Sequence, residues 1–129
     1  MKTNTQNRLI RIGGVFSGLF LILHIGFYWL FKWESTLQVM NHEDRSILLT
    51  LNLVGILFLV YCTGITLFMT KQLVQSVAGK SILLFFASFY LLRIVAEFLY
   101  FGFRFPSSIG GIILCLIPAV CFGLTALKR

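Results

Sequence analysis

Charged side chains are scarce in this chain, with 11 Lys and Arg and 4 Asp and Glu among 129 residues, or 12%. Hydrophobic residues make up 58%, whereas a soluble domain carries about 25% charged residues. Four apolar runs, at residues 9–31, 46–70, 81–103 and 107–127, exceed the roughly 18 residues that indicate a transmembrane helix. The composition therefore excludes a soluble globular domain and predicts a multi-pass integral membrane protein.

Alternation of apolar and polar residues is also lacking. A membrane-spanning barrel strand needs it over about ten positions, and none of the four runs has it. The connections between the runs are short, which makes successive helices antiparallel neighbours. We therefore expect an all-α protein, a four-transmembrane-helix bundle with up-down-up-down topology that forms a single domain over residues 1–129. No motif in the chain identifies a family.

Lys and Arg are distributed unequally between the two ends of the predicted helices. The positive-inside rule predicts that both termini are cytoplasmic, and we expect the protein in a bacterial inner membrane. This bias accounts for most of the formal charge of +7, so the expected partner is the lipid bilayer and not a nucleic acid. The richer end carries Lys2, Arg8, Arg11, Lys71, Lys80, Lys128 and Arg129, and the poorer end carries Lys32, Arg45 and Arg104.

Metal-binding patterns are missing as well. Cys62, Cys115 and Cys121 lie within apolar runs, and no Cys-x-x-Cys or Cys/His spacing suggests a zinc site. His24 is the only histidine within a predicted span, so one chain cannot supply two axial histidines to a haem. That ligation would need a His24 from each of two chains. We expect neither a metal nor a cofactor.

Two connections carry local signals. Trp33, Leu37 and Met40 recur at helical spacing in the loop after the first span, which predicts a short helix lying in the membrane interface. Asn41, followed by acidic residues, is predicted to cap the second span. Gly79 is expected to form a break before the third span.

Arg93 and Glu97 lie in the middle of the third apolar run. An arginine at the centre of a spanning helix costs about 2.5–3.5 kcal/mol on insertion scales, so such residues usually face a protein interior. At 1.5 Å per residue, His24, Asn52 and Glu97 fall at a common depth, roughly 9–11 Å below the outer boundary. We therefore expect a polar pocket in the outer half of the bundle. The predicted ligand-binding or proton-site residues are His24, Tyr28, Asn52, Tyr90, Arg93, Glu97 and Tyr100.

Such a pocket predicts binding or transport of a small solute or lipid-like ligand, with Glu97 as a protonatable group beside Arg93. Four helices enclose little volume, so we expect a homodimer or another homo-oligomer. A stripe of small residues on the fourth helix, which permits close helix packing, is the candidate seam. It consists of Ser107, Gly111, Cys115, Ala119 and Gly123.

Three other interpretations remain open at this point. The ion pair could be purely structural and fix only the register of the helices. The chain could be an accessory subunit of a membrane complex whose polar cluster docks a partner helix. It could also be an enzyme acting on a lipid or quinone-like substrate, with His24 or Glu97 as general acid–base. No nucleophile, metal set or phosphate loop supports an enzyme, and no catalytic residue is assigned.

Overall fold

The computed structural model of the protein describes residues 3–128, and every regular element in that range is helical. The predicted all-α class is confirmed, and four of the helices are long and apolar enough to span a membrane, which is consistent with a multi-pass membrane protein. Lys2 and Arg129, which enter the charge count above, lie outside the described residues. The elements are α1 (Thr3–Leu30), α2 (Trp33–Val39), α3 (His42–Phe68), α4 (Thr70–Gln75), α5 (Val77–Ala96), a π-helical turn (Glu97–Phe101) that continues α5, and α6 (Ser107–Leu127).

The ends of the helices follow from local sequence. The side chain of Asn41 accepts a hydrogen bond from the amide of Asp44 at 2.8 Å, so the predicted cap of α3 is confirmed. Ser76 caps α5 by accepting a hydrogen bond from the amide of Gly79 at 2.9 Å. The predicted break at Gly79 is wrong, because this residue lies inside α5. A Cβ there would come within 2.5 Å of the backbone of Leu73 in α4, so the glycine permits a close approach.

The short helix α2 begins directly after a sharp reversal of the chain at Lys32, whose φ is 50°. Trp33 and Leu37 lie four residues apart on one side of α2 and are buried, whereas the other side is exposed. Residues at i and i+4 share one helix face. The spacing of apolar residues in this loop therefore predicted a real amphipathic helix.

The helix α1 packs against both α3 and α6, and α5 packs against α6. Glycines on one helix face larger side chains on the other where α1 meets α3. A Cβ at Gly14 would lie 2.5 Å from Oγ1 of Thr66, and one at Gly18 would lie 3.4 Å from Cγ2 of Thr63. Small residues of this kind let spanning helices approach closely.

Aromatic rings fill the wider space between α3 and α5. The Phe58 ring of α3 lies 5.6 Å from that of Phe86 and 4.2 Å from that of Phe89, measured between centroids. Phe58 and Phe86 meet edge to face, which is one of the favourable arrangements for aromatic pairs. The four long helices thus form one packed bundle, in which the Phe58 ring joins α3 to α5.

The small-residue stripe on α6 is not available as a seam between chains over its middle part. Cys115 and Ala119 are buried within the chain, and a Cβ on Gly123 would lie 3.8 Å from Cβ of Ala87 in α5. The stripe lets α6 pack against its own bundle, which corrects the predicted seam. A homo-oligomer stays a prediction and would need a different surface.

Candidate functional site

Arg93 and Glu97 form the one ion pair found among residues 3–128. Nη1 of Arg93 donates a hydrogen bond to Oε2 of Glu97 at 2.9 Å. Ser108, at the start of α6, donates its hydroxyl proton to Oε1 of Glu97 at 2.7 Å. Glu97 is only 8% exposed, and hydrogen bonds to a charged group are the stronger ones. Each carboxylate oxygen is thus held by a different helix.

Ser108 is a site residue that sequence reasoning missed. Its hydroxyl accepts a hydrogen bond from the backbone amide of Arg104 at 2.8 Å and donates a hydrogen bond to Glu97. A serine in the first turn of a helix is ordinarily explained by capping, so nothing in the sequence marked it. Its role depends on the way in which α6 returns beside the end of α5.

The guanidinium of Arg93 is only partly satisfied by this pair. Its Cζ lies 4.7 Å from the centroid of the Phe101 ring, which is cation–π geometry. The side chain is 28% exposed. Arginine carries five N–H donors, and within the described part of the chain only Nη1 makes a side-chain hydrogen bond. Further donors are therefore available to a ligand at the surface of the bundle.

The π-helical turn Glu97–Phe101 shapes this site. Such a turn closes i→i+5 hydrogen bonds, accommodates an extra residue, and occurs frequently at functional sites. The residue that follows it is Gly102, whose φ of 63° suits a residue without a Cβ. The turn starts at Glu97 and ends at Phe101, so it places the Phe101 ring beneath Arg93.

His24 and Asn52 make no hydrogen bond to the ion pair in residues 3–128. The half-buried His24 ring packs between Phe20 and Phe27, with centroids 4.6 and 4.3 Å away, and its Nδ1 lies 3.3 Å from the Phe20 carbonyl oxygen. Its other edge faces Gly55, where a Cβ would lie 3.6 Å from Nε2. Asn52, one turn away on α3, is half-buried. Their share in a common pocket stays a prediction.

Tyr90 belongs to a second polar cluster, formed with Ser17 and Cys62 in the middle of the bundle. Its hydroxyl donates to Oγ of Ser17 at 2.6 Å, and Ser17 donates to the carbonyl of Gly13 at 2.9 Å. Because that bond uses the only hydroxyl proton of Ser17, the Cys62 thiol, with its sulfur 3.5 Å away, is the donor in their contact. All three side chains are buried, and they join α1, α3 and α5.

The remaining two predicted tyrosines point elsewhere. Tyr28 lines a cavity between the end of α1 and α2, and neither Arg93 nor Glu97 lines it. Tyr100 is 82% exposed, so it faces the surroundings of the bundle. The structure thus brings together Arg93 and Glu97 from the predicted set and adds Ser108 and Phe101, whereas Tyr28, Tyr90 and Tyr100 have other surroundings.

No cluster of three or more His, Cys, Asp and Glu side chains suited to a metal ion occurs in residues 3–128. Comparison of the chain with protein-family models, with curated proteins and with solved structures finds no match.

Proposed function

We propose that this membrane protein binds a small solute or lipid-like ligand through an anionic group at Arg93. The observation that carries the proposal is that the Arg93 guanidinium has hydrogen-bond donors without a partner among residues 3–128. One N–H group donates to Glu97 and the Phe101 ring lies beneath the guanidinium, yet the side chain is still 28% exposed. A guanidinium presents pairs of parallel donors that match the two oxygens of a carboxylate or phosphate.

The charge balance of the site supports an anionic ligand. Glu97 already accepts from Arg93 and Ser108, so it serves as the fixed counter-ion on the inner side of the guanidinium. A structural ion pair in an apolar bundle gains most when every donor is satisfied. An arginine with available donors is better explained by a ligand that completes its shell.

The proposal includes an up-down-up-down arrangement of the four long helices. Along α1 and α3, Gly14 lies against Thr66, Ser17 against Cys62, and His24 against Gly55. Residue numbers rise on one helix as they fall on the other, which supports an antiparallel pair. With the charge bias toward one end, we place both termini in the cytoplasm and the Arg93 site toward the outer side.

Transport coupled to a proton is the fuller form of the proposal. A ligand that draws Arg93 toward itself would leave Glu97 without its counter-ion in apolar surroundings. Proton uptake by Glu97 then neutralises the carboxylate, so ligand and proton move together. Four helices enclose little volume, so a path across the membrane would form in a homo-oligomer.

The test uses oleate as a lipid-like anion and acetate as a small one, with oleyl alcohol as the neutral control. We expect one of the two anions to raise the thermal unfolding temperature of the purified protein, and oleyl alcohol to leave it unchanged. Arg93→Gln should abolish the response, whereas Arg104→Gln, at an exposed arginine, should keep it. Equal responses of the wild type and Arg93→Gln would reject Arg93 as the ligand contact.

One observation favours a second candidate, an accessory subunit of a membrane complex. Only 11% of the residues in the apolar stretch of α3 are buried within the chain, against 28–33% for the other three long helices, so α3 is the least covered of the four. A helix of a partner protein could cover the exposed apolar surface of α3 in place of lipid. Purification discriminates the two: a stable chain that binds one of the anions supports the first candidate, and a chain that aggregates unless a neighbour copurifies supports the second.

A further inference from the structure

A cavity of about 470 Å³ lies where the end of α1 meets α2, and we refer to it as the α1–α2 cavity. None of its lining residues belongs to the Arg93–Glu97–Ser108 cluster, so it is a separate site. Its walls combine aromatic rings, one cation, one anion and two neutral polar side chains. They are Tyr28, Trp29, Lys32, Glu34, Ser35 and Gln38.

Two opposite charges line this cavity without neutralising each other. Lys32 and Glu34 both contribute to its wall, yet in the part of the chain that the structure describes the only ion pair is the one between Arg93 and Glu97. The backbone of Lys32 is left-handed, a conformation that is costly for residues with a Cβ and that clusters at binding sites. The cavity therefore offers one free positive and one free negative group.

The hydrogen-bond acceptors of the cavity lie together on one face of α2. Glu34 and Gln38 are four residues apart, with Ser35 beside them, and all three are exposed, whereas Trp33 and Leu37 are buried. The Ser35 hydroxyl donates its proton to the Lys32 carbonyl at 3.0 Å, which leaves its lone pairs as acceptors. A carboxylate, a hydroxyl and an amide oxygen thus provide three acceptors, the number of N–H donors on a primary ammonium.

The position of the cavity suits a lipid headgroup. With 28 residues, α1 is about 42 Å long at 1.5 Å per residue, which exceeds the roughly 30 Å hydrocarbon layer. The excess lies at its polar N-terminal end. The apolar part, residues 12–30, is about 28 Å long, so the last turn ends where the hydrocarbon layer meets the headgroups. Trp29 is 73% exposed there and Tyr28 lies beside it, as in the aromatic belts at membrane interfaces.

We propose that the α1–α2 cavity binds the headgroup of phosphatidylethanolamine. Lys32 pairs with the phosphate, and Glu34, Ser35 and Gln38 accept hydrogen bonds from the primary ammonium. A choline headgroup has the same charges but no N–H donors, so it leaves these acceptors unsatisfied. A headgroup with only negative charge leaves Glu34 without a partner. The cavity is therefore selective for the primary amine.

The test measures lipid binding by native mass spectrometry of the purified full-length protein. The probes are phosphatidylethanolamine, its N-methyl and N,N-dimethyl forms, and phosphatidylcholine, all with identical acyl chains. We expect affinity to fall stepwise along this series, with an overall preference of about tenfold, the worth of one charge-assisted hydrogen bond. Equal affinity for the first and last lipid would overturn the proposal.

Matched variants locate the selectivity. Glu34→Gln should reduce the preference to about twofold or less, and Lys32→Gln should weaken binding of every lipid in the series. Glu43→Gln removes an exposed carboxylate that does not line the cavity and should leave the preference intact. Identical behaviour of Glu34→Gln and Glu43→Gln would reject the cavity as the site.

Two further experiments distinguish a lipid site from a solute site, and the α1–α2 cavity from the Arg93 site. Water-soluble glycerophosphoethanolamine carries the same headgroup, and we expect it to compete only weakly. Competition as strong as that of the lipid would show a solute site and overturn the lipid assignment. Arg93→Gln should leave the preference for phosphatidylethanolamine unchanged. The proposed anion binding at Arg93 can therefore be rejected without rejecting lipid binding in the α1–α2 cavity. Loss of the preference in Arg93→Gln would contradict two separate sites.

Discussion

The hydroxyl of Tyr90 donates a 2.6 Å hydrogen bond to the hydroxyl of Ser17, a residue 73 positions earlier in the chain. This bond joins α5 to α1 at the centre of the bundle, where Cys62 adds a contact from α3. Interhelical hydrogen bonds in membranes average about 0.6 kcal/mol and reach about 1.7. The cluster fixes the relative positions of three helices one turn below Arg93 on α5.

Tyr90→Phe removes only the donor of this bond, because Ser17 keeps its own bond to Gly13. We expect the free energy of unfolding to fall by about 0.5–1.5 kcal/mol, measured by denaturation in detergent. Ser17→Ala should cost more, since it leaves the buried tyrosine hydroxyl without its acceptor. Tyr100→Phe, at an exposed tyrosine, is the control and should be neutral. A neutral Tyr90→Phe would show that the bond adds nothing to stability.

Glu97→Gln leaves the Arg93 guanidinium without its counter-ion. Because Arg93 is partly exposed, we expect a loss of about 1–2 kcal/mol, and not the roughly 3–5 kcal/mol of a broken, fully buried pair. Ligand binding, or its pH dependence, should change more than stability does. A large loss in Glu97→Gln that is largely recovered in the double variant with Arg93→Gln would instead favour a purely structural ion pair.

Gly13→Ala would place a Cβ 2.5 Å from Cε1 of Phe122. That ring is fully buried and packs against Phe86 and Tyr90, so it cannot move aside freely. We expect destabilisation of about 1–3 kcal/mol from overpacking. Gly110→Ala is the matched control, since a Cβ there meets nothing within 4 Å, and it should stabilise by less than about 1 kcal/mol. Equal effects of the two changes would contradict the close contact of α1 with α6.

The proposed orientation can be tested with introduced cysteines. Cys62, Cys115 and Cys121 are at most 6% exposed, so the wild type should not react with a maleimide until it is unfolded. Val39→Cys, after the first span, and Val77→Cys, before the third, replace side chains that are 86% and 84% exposed. In intact cells an impermeant maleimide should label Val39→Cys alone, and Val77→Cys only after permeabilisation. The reverse pattern would place both termini outside.

The spanning segments could be predicted because a long apolar run leaves the chain few alternatives to a membrane helix. The start of α1 could not be predicted in the same way. The structure extends it to Thr3 through polar residues, and Gln6 is buried there. Hydropathy identifies the part of a helix that lies in lipid, whereas hydrogen bonding continues the helix beyond it.

The candidate site was predictable within one helix and less so between helices. The spacing of Arg93 and Glu97 by four residues makes them neighbours on any α-helix. Ser108 reaches Glu97 only because α6 returns beside the end of α5. Tyr90 shares a helix face with Arg93, yet helical side chains lean toward the N-terminus, and its hydroxyl binds Ser17 instead.

The π-helical turn Glu97–Phe101 amounts to one inserted residue near the end of α5. In a regular α-helix each residue turns the chain by about 100°, so a residue eight positions after Arg93 would lie about 80° away from its face. The wider π-helical turn brings the Phe101 ring back beneath Arg93. A related chain lacking one residue here could continue as a regular α-helix, with the same Arg93–Glu97 spacing and its aromatic residue seven positions after Arg93, about 20° from the same face. A one-residue alignment gap in this turn would thus be compatible with a retained site.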